Sequence, residues 1–287
     1  GAIMSKILCS VFLIISLASG AAVAGGAESE KLAAVLAAQP EEVQARYAWR
    51  HPQETLEFFG IAPGMTVVEA LPGGGWYSKL ILPYLGKDGH MIGADYSMDM
   101  YPLFGFFSEE RLKEQSNWVE NFPTRAAGWS GDSGASVTAF SFGEMPGDMK
   151  GTADAVVFIR ALHNLARFEG QGGFLTAALQ NAFDVLKPGG TVGVVQHMAR
   201  DDMPDEWAGG QNGYLKKDFV IEVMEKAGFE FVEASDINFN PEDQPTDQDI
   251  VWRLPPSLAT SRDNPELKAQ MEAIGESNRM TLKFRKP

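Results

Sequence analysis

Val67-Val68-Glu69-Ala70-Leu71-Pro72-Gly73-Gly74-Gly75-Trp76-Tyr77-Ser78 reads as a strand running into a tight glycine-rich bend, with a helix starting behind it. Glycines let a backbone approach a ligand with no Cβ in the way. The start of a helix presents N–H groups that lack intrahelical partners. Glu69 ends the strand beside the bend. The same stretch also suits an ordinary strand–turn–helix junction, so its surroundings decide the reading.

Working outward, apolar strand-like runs alternate with helical ones. Strands are predicted over Met65–Ala70, Met91–Ala94, Val137–Phe142, Ala153–Ile159, Thr191–Gln196 and Phe229–Ala234, with a last one over Met280–Phe284. Helices are predicted over Trp76–Leu85, Ser108–Asn121, Phe174–Leu186 and Lys216–Ala227, the third stopped by Lys187-Pro188-Gly189-Gly190. Gly128–Gly134 reads as a loop. Such alternation implies an α/β fold, a parallel sheet covered on both faces. Ahead of it, Ala27–Ala38 predicts a loosely held helix, and Glu41–Phe59 a helix broken at Pro52. The expected organisation is a signal peptide over 1–24, a helical extension over 25–64 and one domain over 65–287. Within that domain, 236–277 reads as irregular.

Ligands of such sheets bind beyond the carboxyl ends of the strands. Asp95 follows the second strand, 26 positions after Glu69, and suits the ribose hydroxyls of an adenosine; the other reading is a solvated turn. A pyrophosphate beside Glu69 would be repelled, whereas a cationic group would be attracted. That favours S-adenosylmethionine (SAM), with its sulfonium and ammonium, over a nicotinamide dinucleotide. After the fourth strand come Arg160, His163 and Asn164, and after the fifth comes His197. His163 is a candidate base near neutral pH, or else a helix cap. His197 is the second candidate. Arg160 suits a carboxylate or phosphate of a substrate, or an acid of the protein. Asn164 can orient a polar group. Arg279, in Glu276-Ser277-Asn278-Arg279, is a candidate partner for an internal carboxylate. The four histidines include no close pair of the kind that ligates metal, so no metal site is expected.

The first residues carry an export pattern: Lys6, an apolar run from Ile7 to Leu17, then Ala22-Val23-Ala24 before Gly25. The run falls short of the ~20 apolar residues that span a bilayer. The expectation is therefore an exported protein, periplasmic or secreted, with no stable membrane insertion after cleavage. Cys9, the one cysteine, lies in that segment. The rest of the chain then has no thiol for disulfides or nucleophilic catalysis. The formal net charge is −14 with no Lys/Arg run, which argues against nucleic acid as a partner.

Glu69 to Gly75 resembles the first motif of class I SAM-dependent methyltransferases, and Leu186-Lys187-Pro188-Gly189-Gly190 is similar to their turn before the fifth strand. More specifically, the chain resembles a group of exported bacterial methyltransferases. The resemblance is carried by Arg50-His51-Pro52, Pro72 to Tyr77, Arg160 to Asn164, Asn240-Pro241, Val251 to Pro256 and Gly275 to Leu282. It implies a Rossmann-like, seven-stranded, mostly parallel sheet whose last strand is antiparallel. It also implies SAM as cofactor at Glu69, Gly73, Gly74, Gly75 and Asp95, with Tyr77 walling the same cleft. One departure stands out: Leu71 occupies a position that is glycine in the family, and Pro72 has no N–H to offer.

The leading expectation is methyl transfer from SAM to a small-molecule acceptor, with His163, His197, Arg160 and Asn164 on the acceptor side. The alternative is an exported, non-catalytic ligand-binding protein on the same fold.

Overall fold

The computed structural model describes residues 19–287, with side chains from 25 on. The export segment expected over 1–24 thus lies outside the described residues as far as residue 18. From Ser19 the chain is helical: α1 spans Ser19–Ala37 and runs through the expected cleavage point. Leu32 and Leu36 of α1 are buried in the core with Tyr84 and Leu85. The Ala-rich stretch is therefore docked and not loosely held, because two leucines one turn apart reach the same apolar surface. Three short helices follow, α2 (Glu41–Gln44), α3 (Tyr47–Arg50) and α4 (Pro52–Phe58), with Pro52 at the first turn of α4, where its missing N–H costs nothing.

Seven strands form one sheet in the order β3-β2-β1-β4-β5-β7-β6. They are β1 (Thr66–Ala70), β2 (His90–Asp95), β3 (Ser136–Ser141), β4 (Ala153–Ile159), β5 (Leu186–His197), β6 (Glu230–Ser235) and β7 (Arg279–Arg285). β1 to β5 pair in parallel, and β7 runs antiparallel to both β5 and β6. The period of two along each strand sends alternate side chains to opposite cores. Val68, Ile92, Val156 and Val194 face one core; Val67, Met91, Val157 and Val195 face the other. Both faces are buried, which is why these strands read as continuous apolar runs.

The remaining helices are α5 (Ser78–Leu85), α6 (Glu109–Ser116), α7 (Trp118–Ser130), α8 (Leu162–Arg167), α9 (Phe174–Val185), α10 (Lys217–Lys226) and α11 (Pro265–Ile274). Four differences from the sequence reading have local causes. The single helix expected to Asn121 is two, divided at Asn117, and α7 continues to Ser130 through the stretch expected as a loop. Phe122 and Ala126, a turn apart and buried, hold it there despite Gly128. β5 begins at Leu186, since Leu186 pairs with Ala153 across a register shift that absorbs the Pro-Gly-Gly turn. The stretch 236–277 contains α11, capped by the Asn264 side chain accepting from the Leu267 N–H. α8, a short helix, follows directly after β4 and carries His163 in its first turn. Among the described residues no helix is long and apolar enough to cross a membrane.

Candidate active site

The glycine bend links β1 to α5. Leu71, at φ 50°, takes the left-handed conformation that glycine favours. Such a conformation costs a non-glycine residue roughly 1–2 kcal/mol. Its N–H donates to the Ala94 carbonyl at 2.7 Å, and the Gly75 N–H donates to the Pro72 carbonyl at 2.9 Å. Gly73 and Gly74 are exposed, and their N–H groups have no partner among the described residues. Gly75 is different: it is buried, and a Cβ there would lie 2.3 Å from the Trp129 indole. Glu69 is buried beneath the bend, its Oε2 accepting from the Ser78 hydroxyl at 2.6 Å. Burial raises this carboxyl to about 7, against the lowering effect of the Ser78 bond and of Arg160.

Across from the bend stand residues from the ends of β4 and β5. His163 and His197 are both buried, with ring centroids 5.3 Å apart. His163 Nδ1 lies 3.4 Å from Gln196 Oε1, and the Gln196 amide in turn donates to the Gly213 carbonyl at 2.9 Å. His197 Nδ1 lies 2.5 Å from the Ser277 hydroxyl. Burial lowers His163 to about 4, and burial with the nearby Arg279 lowers His197 well below its ordinary range. Both imidazoles are neutral at neutral pH.

The two walls bound one cleft of about 410 Å³, within the range of small-molecule sites. Leu71 to Gly74 line it on one side, and Arg160, His163, His197, Ser277 and Arg279 on the other. Val251, Trp252 and Leu254 to Ser257 close it from the irregular stretch after β6. That stretch is pinned by a buried network: the Arg253 guanidinium donates to Asp243 at 2.7 Å, and Tyr214 and the Asn278 N–H donate to the same carboxylate. Trp252, Ser277 and Lys79 also line the cleft. Trp252 and Ser277 lie in the Val251–Pro256 and Gly275–Leu282 pieces of the resemblance, whereas no sequence signal pointed to Lys79.

Several expected site residues face elsewhere. Asp95 does not line the cleft: its Oδ1 accepts from the Tyr96 N–H, and its Oδ2 from Tyr101 and from Gln115, each at 2.6 Å. Asn164 donates to the Tyr96 hydroxyl at 3.1 Å, away from the cleft, because α8 turns it toward β2. Tyr77 is buried under the bend with its hydroxyl 3.4 Å from the Arg50 carbonyl. Gly75 and Glu69 support the bend and do not line the cleft.

One further cluster closes the floor. Glu276, 1% exposed, accepts from Arg50 at 2.9 Å and from Arg279 at 3.1 Å, with Arg160 3.8 Å away. Burial pushes Glu276 upward, but Arg279, Arg50 and Arg160 outweigh it and hold the carboxyl below its ordinary range. Arg279 thus has the internal carboxylate expected for it, three residues away.

The chain is 28% identical over 202 residues to the arsenite methyltransferase of Halobacterium salinarum, a match that takes in 68% of this chain and 44% of that protein. It spans less than half the length of that relative. No family model matches the chain. Among solved structures, geranyl diphosphate methyltransferase in complex with SAM superposes with a TM-score of 0.50 at 16% identity, over 89% of this chain and 95% of that one. A SAM-dependent methyltransferase from Aquifex aeolicus superposes with a TM-score of 0.48 at 14% identity, over 90% and 98%. With its strand order, its antiparallel β7 and the likeness to the first of these structures, the chain has the fold of the class I SAM-dependent methyltransferases.

Proposed function

We propose that the chain transfers a methyl group from SAM to a small-molecule acceptor. The observation that carries this reading is the cleft itself, which joins bare backbone after β1 to two neutral imidazoles after β4 and β5. The donor set fits the cofactor. Gly73 and Gly74 offer free N–H groups, a carboxylate lies beneath the bend at Glu69, and a second ends β2 at Asp95. At Asp95 a ribose hydroxyl would compete with Tyr101 and Gln115 for Oδ2, whereas among the described residues Oδ1 accepts only from the Tyr96 N–H. When bound, SAM supplies an electrophilic methyl carbon on a cationic sulfur.

The chain's own residues do the rest. Gln196 is held by its amide donating to Gly213, so its oxygen faces His163. A neutral His163 then carries its proton on Nδ1, leaving Nε2 with a free lone pair. Nε2 is the atom that takes the acceptor's proton. Trp252, edge-on to His163 at 5.8 Å, limits water around it. Alignment of the acceptor in the walled cleft supplies much of the rate.

The proposal does not extend to arsenite, the acceptor named for the similar protein: trivalent arsenic is a soft, thiolate-seeking centre, and the described residues include no cysteine. Export to the periplasm or medium belongs to the same proposal, supported by the Ile7–Leu17 run and Ala22-Val23-Ala24. Cleavage before Gly25 leaves Leu32 and Leu36 in place to dock α1. N-terminal sequencing of the protein recovered from each cell fraction tests it.

Calorimetric titration with S-adenosylhomocysteine tests the enzymatic reading. We expect saturable binding to the wild type and its loss in Gly74→Leu, where a side chain enters open space above the bend. Silence of the wild type at millimolar ligand would end the proposal. A second reading, a ligand-binding protein without turnover, is favoured by one observation: Asp95 already accepts three bonds within the protein, two of them from side chains. Export away from cytoplasmic SAM would favour it too. It requires a different metabolite to co-purify in the cleft, and no SAM consumption with any acceptor.

A further inference from the structure

The chain carries a formal charge of −14, yet the floor of its cleft is positive. Arg50, Arg160 and Arg279 gather around one carboxylate, Glu276, leaving two charges uncompensated. Lys79 lines the same cleft. The sign is divided along the sheet. Carboxylates Glu69 and Asp95 end β1 and β2, whereas the arginines belong to α3, the end of β4 and the start of β7.

Two of these guanidiniums have unused donors. Arg160 is 25% exposed, lines the cleft, and its side chain makes no hydrogen bond among the described residues beyond the 3.8 Å approach to Glu276. Its backbone is held at φ 55°, a conformation that costs a non-glycine residue and recurs at ligand sites. Arg279 is 3% exposed and also lines the cleft; its Nη2 donates to Glu276, but its Nε is buried with no partner. Buried donors left unpaired are rare in folded proteins and call for an explanation. The void of about 10 Å³ behind the pair has room for one water at most, so an anion reaches the pair from the larger cleft.

We propose that Arg160 and Arg279 form a subsite for a carboxylate or phosphate group carried by the acceptor, on the wall opposite the glycine bend. The inference rests on the methyl-transfer reading only in naming the ligand an acceptor. A guanidinium offers parallel N–H donors that match either oxyanion, and charge-assisted bonds of this kind are the strong ones. Placing the anion there has a second consequence. It cancels the surplus charge that would otherwise repel a sulfonium brought to the glycine bend.

The test uses succinate and pyrophosphate as probes, titrated calorimetrically into the wild type, Arg160→Gln and Arg279→Lys, with and without saturating S-adenosylhomocysteine. Because the Arg160 side chain makes no hydrogen bond among the described residues, Arg160→Gln should fold as the wild type does, and its melting temperature checks this. We expect saturable binding of at least one probe, weakened about tenfold or more in Arg160→Gln. Arg279→Lys, which keeps the charge but loses the unpaired Nε–H, should weaken it as well. Probe and S-adenosylhomocysteine should bind together. Three results would each overturn the proposal: neither probe binding at millimolar concentration, equal binding by Arg160→Gln, or mutual exclusion with S-adenosylhomocysteine. The last would give the pair to the cofactor's own carboxylate. Probe binding that is lost in Arg160→Gln, in a protein blind to S-adenosylhomocysteine, would keep the anion site and remove the methyl-transfer reading.

Discussion

The Ser78 hydroxyl, at the first turn of α5, donates to the Glu69 carboxylate at the end of β1 across 2.6 Å, tying the two sides of the glycine bend together. Both side chains are buried, and no other side-chain bond reaches Glu69 among the described residues. Ser78→Ala leaves a buried acceptor unsatisfied and should cost about 1–3 kcal/mol in urea unfolding.

Glu69 also gives the stability profile a definite slope. Its carboxyl is raised from 4.5 to about 7 in the folded chain. The folded state therefore binds that proton more tightly than the unfolded one does. Its contribution is full below pH 4.5 and is lost as pH rises through about 7. Glu69→Gln removes this loss, so the variant should gain stability over the wild type as pH is raised from about 5 to about 8. Denaturation midpoints that track each other across that range would refute it.

Within the bend, Gly74 and Gly75 should respond to the same change by very different amounts. Gly75 sits at φ 82° with the Trp129 indole 2.3 Å from a would-be Cβ, so Gly75→Ala meets both strain and overpacking. A loss of roughly 1–3 kcal/mol is expected. Gly74→Ala meets nothing within 4 Å and lacks the positive φ. It should cost at most a few tenths of a kcal/mol. Chemical denaturation of the pair decides it.

Gln196 holds His163 in one tautomer, which makes it a positioning residue with a spectroscopic signature. His163 is lowered from 6.5 to about 4, so its contribution to stability is full above 6.5 and is lost as pH falls toward 4, the reverse of Glu69. Gln196→Glu sets a carboxylate beside the ring and should raise the His163 pKa. Imidazole NMR would read this directly, and an unchanged titration would remove Gln196 from the role. Methyl-transfer rates should move with the titration, whereas a purely structural Gln196 would change stability alone.

Among the described residues Glu276 is the one carboxylate shared by Arg50 and Arg279. Glu276→Gln leaves buried guanidiniums without a counter-charge and should cost about 3–5 kcal/mol. Since the carboxyl is held below its ordinary range, the wild type should lose the same stabilisation as acid protonates it. Thermal unfolding of wild type and variant should therefore converge at low pH.

Much of the fold was legible because its causes are local. β-branched runs such as Ala153–Ile159 leave little doubt about a strand, and Pro72 to Gly75 can only be a bend. Even the departure at Leu71 kept the backbone that glycine would take. The helical boundaries between Glu109 and Ser130 were less legible. There α7 persists through Gly128 because of what Phe122 and Ala126 pack against, not because of its own residues.

The sequence by itself determined the succession of strands and helices, the glycine bend after β1, and the placing of His163 and His197 at the ends of neighbouring strands. Only the tertiary structure decided which of the polar residues at strand ends turn into the cleft. Asp95 and Asn164 bond to Tyr101 and Tyr96 instead, partners supplied by the long excursion between β2 and β3. It also decided the sign of the cleft, since Arg50 and Glu276 meet across 226 positions of chain. Periodicity and turn chemistry act over a few residues. Burial, charge pairing and the depressed histidines depend on neighbours brought together by folding, and no local pattern encodes them.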